Sequence, residues 1–200
     1  MTKESKVHPY IEWAKSRLDE MDATLSTFQG KVEELGGDAR VKAKTALSDM
    51  QVQRDAFKDF FDKNLESAES VWEAQASKLK KEWKSFEDEV ETYVKSTKNN
   101  AEQYEAAFTA RADAQVKAWQ EMMNTAFAAA AKFPEERKAE FDDAVTKMKS
   151  EADAAEKRLA AMKKAGQESW SSLDAALSDS RKAFDKATED MQKAFKRALK

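Results

Sequence analysis

Cysteine is absent from this chain, and its absence removes disulfides, thiolate metal sites and a cysteine nucleophile together. Histidine occurs once, as His8 beside Pro9, so no transition-metal site can be built without carboxylates, and no paired spacing supports one. Four glycines and two prolines in 200 residues leave few turns, hence long elements. No apolar run approaches the roughly 18 residues needed to span a membrane. The opening MTKESKVHPYIEW lacks the apolar core of a signal peptide. The expectation is a cytosolic protein.

Charge of one sign is also missing. The 35 basic and 38 acidic residues are interleaved, so no broad field attracts nucleic acid. The one local bias is MQKAFKRALK (191–200), where Lys193, Lys196, Arg197 and Lys200 face no acid. Cations suit a helix C-terminus, and the alternative is an anionic-surface anchor. No glycine-rich phosphate loop, nucleophile elbow or zinc-protease motif occurs. The acid clusters FEDEVE (86–91) and EFDDAV (140–145) lack the loop of a calcium site. KLKKEWK (78–84) reads as lysine stems covering the edge of an apolar stripe rather than a nucleic-acid platform. The chain is expected not to be an enzyme and to need no cofactor or metal.

What is present is helical amphipathicity. Ala, Lys, Glu, Asp and Ser dominate, and charged residues reach 36%. Val7, Ile11, Ala14, Leu18, Met21, Leu25, Phe28, Val32 and Leu35 alternate steps of four and three, a heptad seam on a first helix. Pro9 suits its first turn. Gly36 and Gly37 close it, and Asp38 is placed to cap the next helix. A second helix is read from about residue 39 to 96, with Phe61, Trp72, Trp83 and Val94 at eleven-residue intervals. An eleven-residue repeat keeps one stripe in line on a nearly straight helix. KSTKNN (95–100) either turns, with Asn100 as a cap, or lets the helix continue; the turn is preferred. A third segment from Ala101 reaches the corner at 133–135, where Pro134 ends it. A fourth helix runs from about 134 to 199, interrupted by Gly166. A shift of 98 places Trp72 on Trp170, Leu79 on Leu177, Phe86 on Phe184 and Met50 on Met148, a weak sign of duplication.

The fold expected is all-α. Four long helices form either two antiparallel αα-hairpins in an extended bundle, or one central helix over 39–132 of roughly 140 Å lined by the flanking helices. The chain is one elongated unit over 1–200, divisible into halves 9–96 and 100–199 with corners at 36–38 and 133–135. Trp13, Phe61, Trp72, Trp83, Val94, Trp119 and Trp170 are the candidate interaction surface, because tryptophan is awkward in a narrow coiled-coil seam and common at interfaces. Trp13 lies outside the seam of the first helix.

The segment RLAAMKKAGQESWSSLDAALSDSRKAFDKATEDMQKAFKRA (158–198), with Gly166, Trp170, Leu173, Leu177 and Phe184, resembles the C-terminal part of small bacterial coiled-coil stress-response proteins. A second tryptophan near Phe184, usual in that pattern, is missing. The resemblance implies a helical, cytosolic, non-enzymatic protein and carries no catalytic residues. LESAESVWEAQASKLKKEW (65–83) is similar in texture to phasins, the helical coats of polyester granules. Two functions follow as expectations. The first is a structural or interaction coiled-coil protein, stress-linked, partnered by itself or another helical protein. The second is a phasin- or apolipoprotein-like coat on a lipid or polyester granule surface, since a straight stripe suits an apolar surface. No nucleic-acid partner is expected.

Overall fold

The computed structural model describes residues 9–67, 69–97, 100–131, 133, 135–165 and 169–198, with the side chains at 9, 69, 73, 135–140 and 198 left aside. Among the described residues there is no strand. Six α-helices follow one another: α1 (Pro9–Lys31), α2 (Gly37–Asn64), α3 (Glu69–Ser96), α4 (Ala101–Ala130), α5 (Glu135–Ala165) and α6 (Trp170–Ala198). A 3₁₀ turn over Val32–Glu34 tightens the end of α1.

All-α is what the composition implies, but four helices is the wrong count. The helix expected over 39–96 is broken near residue 65, and the one expected over 134–199 is broken after Ala165. The 140 Å central helix therefore does not form. The longest helix has 31 residues, roughly 47 Å at 1.5 Å per residue. α3 ends at Ser96 and α4 starts at Ala101, so one helix does not continue from the one to the other, and Asn100 caps α4 by accepting the Glu102 N–H at 3.0 Å. Asp38 does not cap α2. Gly36 holds the N-cap position without a side-chain bond, and Asp38 sits inside the first turn. Gly37 takes a left-handed φ of +54° there, which glycine adopts without a Cβ clash. Val7, His8, Pro134 and Gly166 lie outside the described residues.

The unforeseen corner between α2 and α3 has neither glycine nor proline. Asn64 closes it: its carbonyl accepts the Ser67 N–H at 2.8 Å and the Trp72 indole N–H at 3.0 Å. Its side-chain amide donates back to Phe60 O at 2.8 Å. The Trp72 ring then meets Phe60 and Phe61 edge-on. The signal is a contact eight residues away, which local turn chemistry does not contain.

Cross-helix contacts set the directions. Lys15 pairs with Glu121, while Lys31 Nζ reaches Glu102 Oε1 at 2.7 Å, so α1 and α4 are antiparallel. Arg17 meets Asp185 and Glu20 meets Arg181, so α1 and α6 are antiparallel too. Arg54 to Asp22 and Phe57 to Trp13 lay α2 back along α1. The ends of α1, α3 and α5 and the starts of α2, α4 and α6 thus share one end of the bundle. The ends of α2, α4 and α6 and the starts of α1, α3 and α5 share the other. α2 packs most closely on α3, and α5 on α6. The molecule is two three-helix units, α1–α3 and α4–α6, joined along α1 and α4.

The apolar stripes face inward and form two clusters. The first joins α1, α2, α3 and the first half of α4, with Leu159, Leu173 and Leu177 from α5 and α6. The second joins the later half of α4 to α5 and the later half of α6. At the corner end of α1, Phe28 stacks on Tyr93 with ring centroids 3.7 Å apart. The Tyr93 hydroxyl lies 3.0 Å from Gln103 Oε1 and 3.3 Å from Phe28 O, while the Gln103 amide donates to Lys31 O at 3.3 Å. Burial and the nearby Glu34 push that phenol up to about 12.

Candidate functional site

Where the two clusters meet, the core turns ionic. Gln115 stands between Ala112 and Ala118 on α4, and Ser180 and Arg181 stand between Leu177 and Phe184 on α6. α1 adds Arg17 and Glu20, α3 adds Trp83 and Glu87, and α4 adds Arg111. Glu20 and Arg111 are fully buried, and Arg17 and Arg181 nearly so.

The geometry is reciprocal. Arg181 grips Glu20 with both ends of its fork: Nε lies 3.1 and 3.0 Å from the two carboxylate oxygens, and Nη2 lies 2.9 Å from Oε2. Arg17 Nη2 reaches both Asp185 oxygens at 2.9 and 2.8 Å. α1 therefore presents plus then minus, and α6, running the other way, presents plus then minus to match. Arg111 Nε approaches Glu20 at 3.5 Å, and its Nη2 donates to Glu87. Arg181 Nη1 also approaches Glu87, at 3.5 Å. At the centre sits the Trp83 ring, with the guanidinium carbons of Arg181, Arg17 and Arg111 at 5.1, 5.4 and 5.9 Å from its centroid. Indole is the best aromatic acceptor for cations, and desolvation strengthens the attraction.

Burial disfavours ionisation of Glu20, yet Arg181, Arg111 and Arg17 outweigh it and hold the carboxyl below its ordinary value. Burial likewise lowers Arg181 and is outweighed by Glu20 and Glu87, which raise it. For Asp185, burial prevails over Arg17 and raises the carboxyl. Asp174, at the edge of the layer, is raised by burial and then by Glu87. Several buried polar atoms make no hydrogen bond: Arg17 Nε, Arg111 Nε and Nη1, Gln115 Oε1 and Asp174 Oδ1. Chemically the layer is a mutual clamp between four helices, its charges spent on one another.

The seven residues expected to form an interaction surface are divided by this architecture. Trp72, Val94 and Trp119 are buried, Trp119 meeting Phe184 edge-on at 5.2 Å. Trp13, Phe61, Trp83 and Trp170 are half-buried and pack on the first cluster. Trp13 lies against Phe57, and Trp170 against Tyr104. The stripe is thus folded onto itself rather than laid out as one face. Sequence reasoning missed Arg17, Glu20, Glu87, Arg111, Arg181 and Asp185, since each resembles an ordinary surface charge of a helix. One signal was available: the α6 stripe jumps from Leu177 to Phe184, and Arg181 occupies the skipped rung.

Among the described residues, no group of three or more His, Cys, Asp or Glu could hold a metal ion. None of the helices is long and apolar enough to cross a membrane, again among the described residues. No protein-family model, curated protein or solved structure matches the chain.

Proposed function

We propose that the chain is a non-enzymatic structural or interaction protein, stress-linked as its α6 pattern suggests, that works as a preformed helical bundle. The observation that carries this reading is the inward packing of the aromatic stripe around a clamp of interlocking charges. Such a layer disfavours alternative registers of otherwise similar helices, the best-attested use of buried charge. The outer helix faces, dense in both charge signs, are then what a second copy or another helical protein meets. The reading requires helical circular dichroism in dilute buffer, cooperative melting and blue-shifted tryptophan emission, with self-association visible by light scattering at micromolar concentration. Non-cooperative melting with water-like emission would overturn it.

A second reading, a coat on a lipid or polyester granule, draws support from the second cluster. Alanine supplies eight of the fifteen positions buried there among the described residues, so separating its helices uncovers less apolar area per residue than opening the first cluster does. Opening would present Trp119, Met122 and Phe184 to a surface. Co-sedimentation with vesicles or granules, accompanied by a change in tryptophan emission, supports this reading; failure to co-sediment with either ends it.

A further inference from the structure

Between α1, α3 and α6, at the end of the bundle where α1 begins, lies a cavity of about 430 Å³. Pockets of several hundred cubic ångströms are the usual size for small-molecule sites. Its wall is graded by burial. Trp13 and Ala76 are half-buried and form its apolar lining, with the buried Trp72 and Leu79 packed beneath them. Lys80, Lys193 and Lys196 are exposed and form the rim. Three lysines there face Glu189 and an Asp185 carboxylate whose two oxygens already accept from Arg17. Lys193 lies at a long 3.9 Å from Asp190. The cavity is elongated: its α3 wall runs from Trp72 to Lys80, roughly 12 Å by the helical rise.

An aromatic and aliphatic trough with cations at its lip suits a ligand with a linear apolar body and one anionic head. We propose that this cavity binds a medium-chain fatty carboxylate, its chain along Trp13 and Ala76 and its head at Lys80 and Lys193. The site is independent of the partner reading above, since it needs the bundle closed and no second macromolecule. It also gives Trp13 a role: it lies outside the first-helix seam because it faces this trough and Phe57 rather than α4.

The test is titration of decanoate into the full chain, followed by calorimetry and tryptophan emission. Saturable binding of one decanoate per chain is expected, with altered emission and unchanged helical dichroism. Decanol, which lacks the head charge, should bind at least tenfold more weakly. The exposed pair Lys80→Glu with Lys193→Glu should weaken decanoate at least tenfold without lowering the melting temperature. Ala76→Trp, which fills the trough, should abolish binding; if that variant misfolds, the lysine pair still decides. Absence of saturable binding, equal affinity for decanol, indifference to the lysine pair, or uptake of many molecules with loss of cooperative melting would each overturn the proposal.

Discussion

The two apolar clusters arise from the same helical periodicity but from different side chains. The first is lined with large rings and long chains: Phe28, Phe57, Trp72, Phe86, Tyr93 and Phe108, with Met21 and Met50. The second has fewer such side chains, Trp119, Phe141 and Phe184 with Met122, Met148 and Met191, and more alanine. Among the described residues, alanine supplies eight of its fifteen buried positions, against six of twenty-four in the first. Alanine contributes little apolar area, so a helix pair joined through it is held less strongly per residue. α5 packs chiefly on α4 and α6, whereas α1 is held by α2, α3, α4 and α6. One lobe is therefore deep and built on large side chains, the other shallower and richer in alanine, with the ionic layer between them. The lesson is that an even heptad pattern does not imply even stability along a bundle.

The strongest way to break that comparison is to remove the partition. Glu20→Leu leaves three arginines buried without their central counter-charge and should cost about 3–5 kcal/mol, read from urea unfolding of the full chain. Replacing Glu20, Glu87, Arg111 and Arg181 together by leucine or methionine should recover most of that loss, because the four charges leave as a set and none is left without its partner. If Glu20→Leu alone is neutral, the layer is not a clamp. Next in size is overpacking of the shallow lobe. Ala126→Leu pushes α4 against its close neighbours and should cost about 1–3 kcal/mol. A neutral result would mean that the alanine spacing has slack.

Native-state hydrogen exchange sharpens the comparison without substitution. Amides of α5 should open at a lower free energy than those of α1, since local opening follows contact density. Equal protection in the two helices would erase the distinction between the lobes. The smallest effect is with pH. Glu20 has a folded value below its ordinary 4.5, so its contribution is full above that value and is lost as pH falls through the lowered one. Asp185, raised from 3.8, acts oppositely: its contribution is present below 3.8 and is lost as pH rises through the raised value. Unfolding measured from pH 6 to pH 3 should therefore show a shallow dependence, and Glu20→Gln should remove the part lost on acidification.

Much of the fold was legible because its causes are local. The first seam, the Gly36–Gly37 corner and the Asn100 cap each rest on residues within a few positions of one another. The corner at 65–68 was not legible, since Asn64 needs the Trp72 indole to complete it. The apparent single helix over 39–96 reflects a stripe that stays in phase through that corner. The ionic layer was less legible still. Arginine and glutamate at helical spacing describe almost any exposed face, and only the pairing of Arg17 and Glu20 with Arg181 and Asp185 gives them meaning. That pairing spans 161 and 168 residues. The tryptophans illustrate the same limit: their periodicity was plain, but not which helix would cover each one.

The span of that pairing has a consequence for how the chain is made. α1 leaves the ribosome before α6, carrying Glu20 and Arg17 on the side that will become interior. Their partners on α6 follow some 160 residues later, on the order of ten to thirty seconds at ordinary synthesis rates. Until then Glu20 has Arg111 but lacks the Arg181 fork, and Arg17 lacks Asp185, so the ionic layer cannot dry completely. The fold is finished from its far end: closure of α6 onto α1 is the step that turns a wet helical array into a locked one.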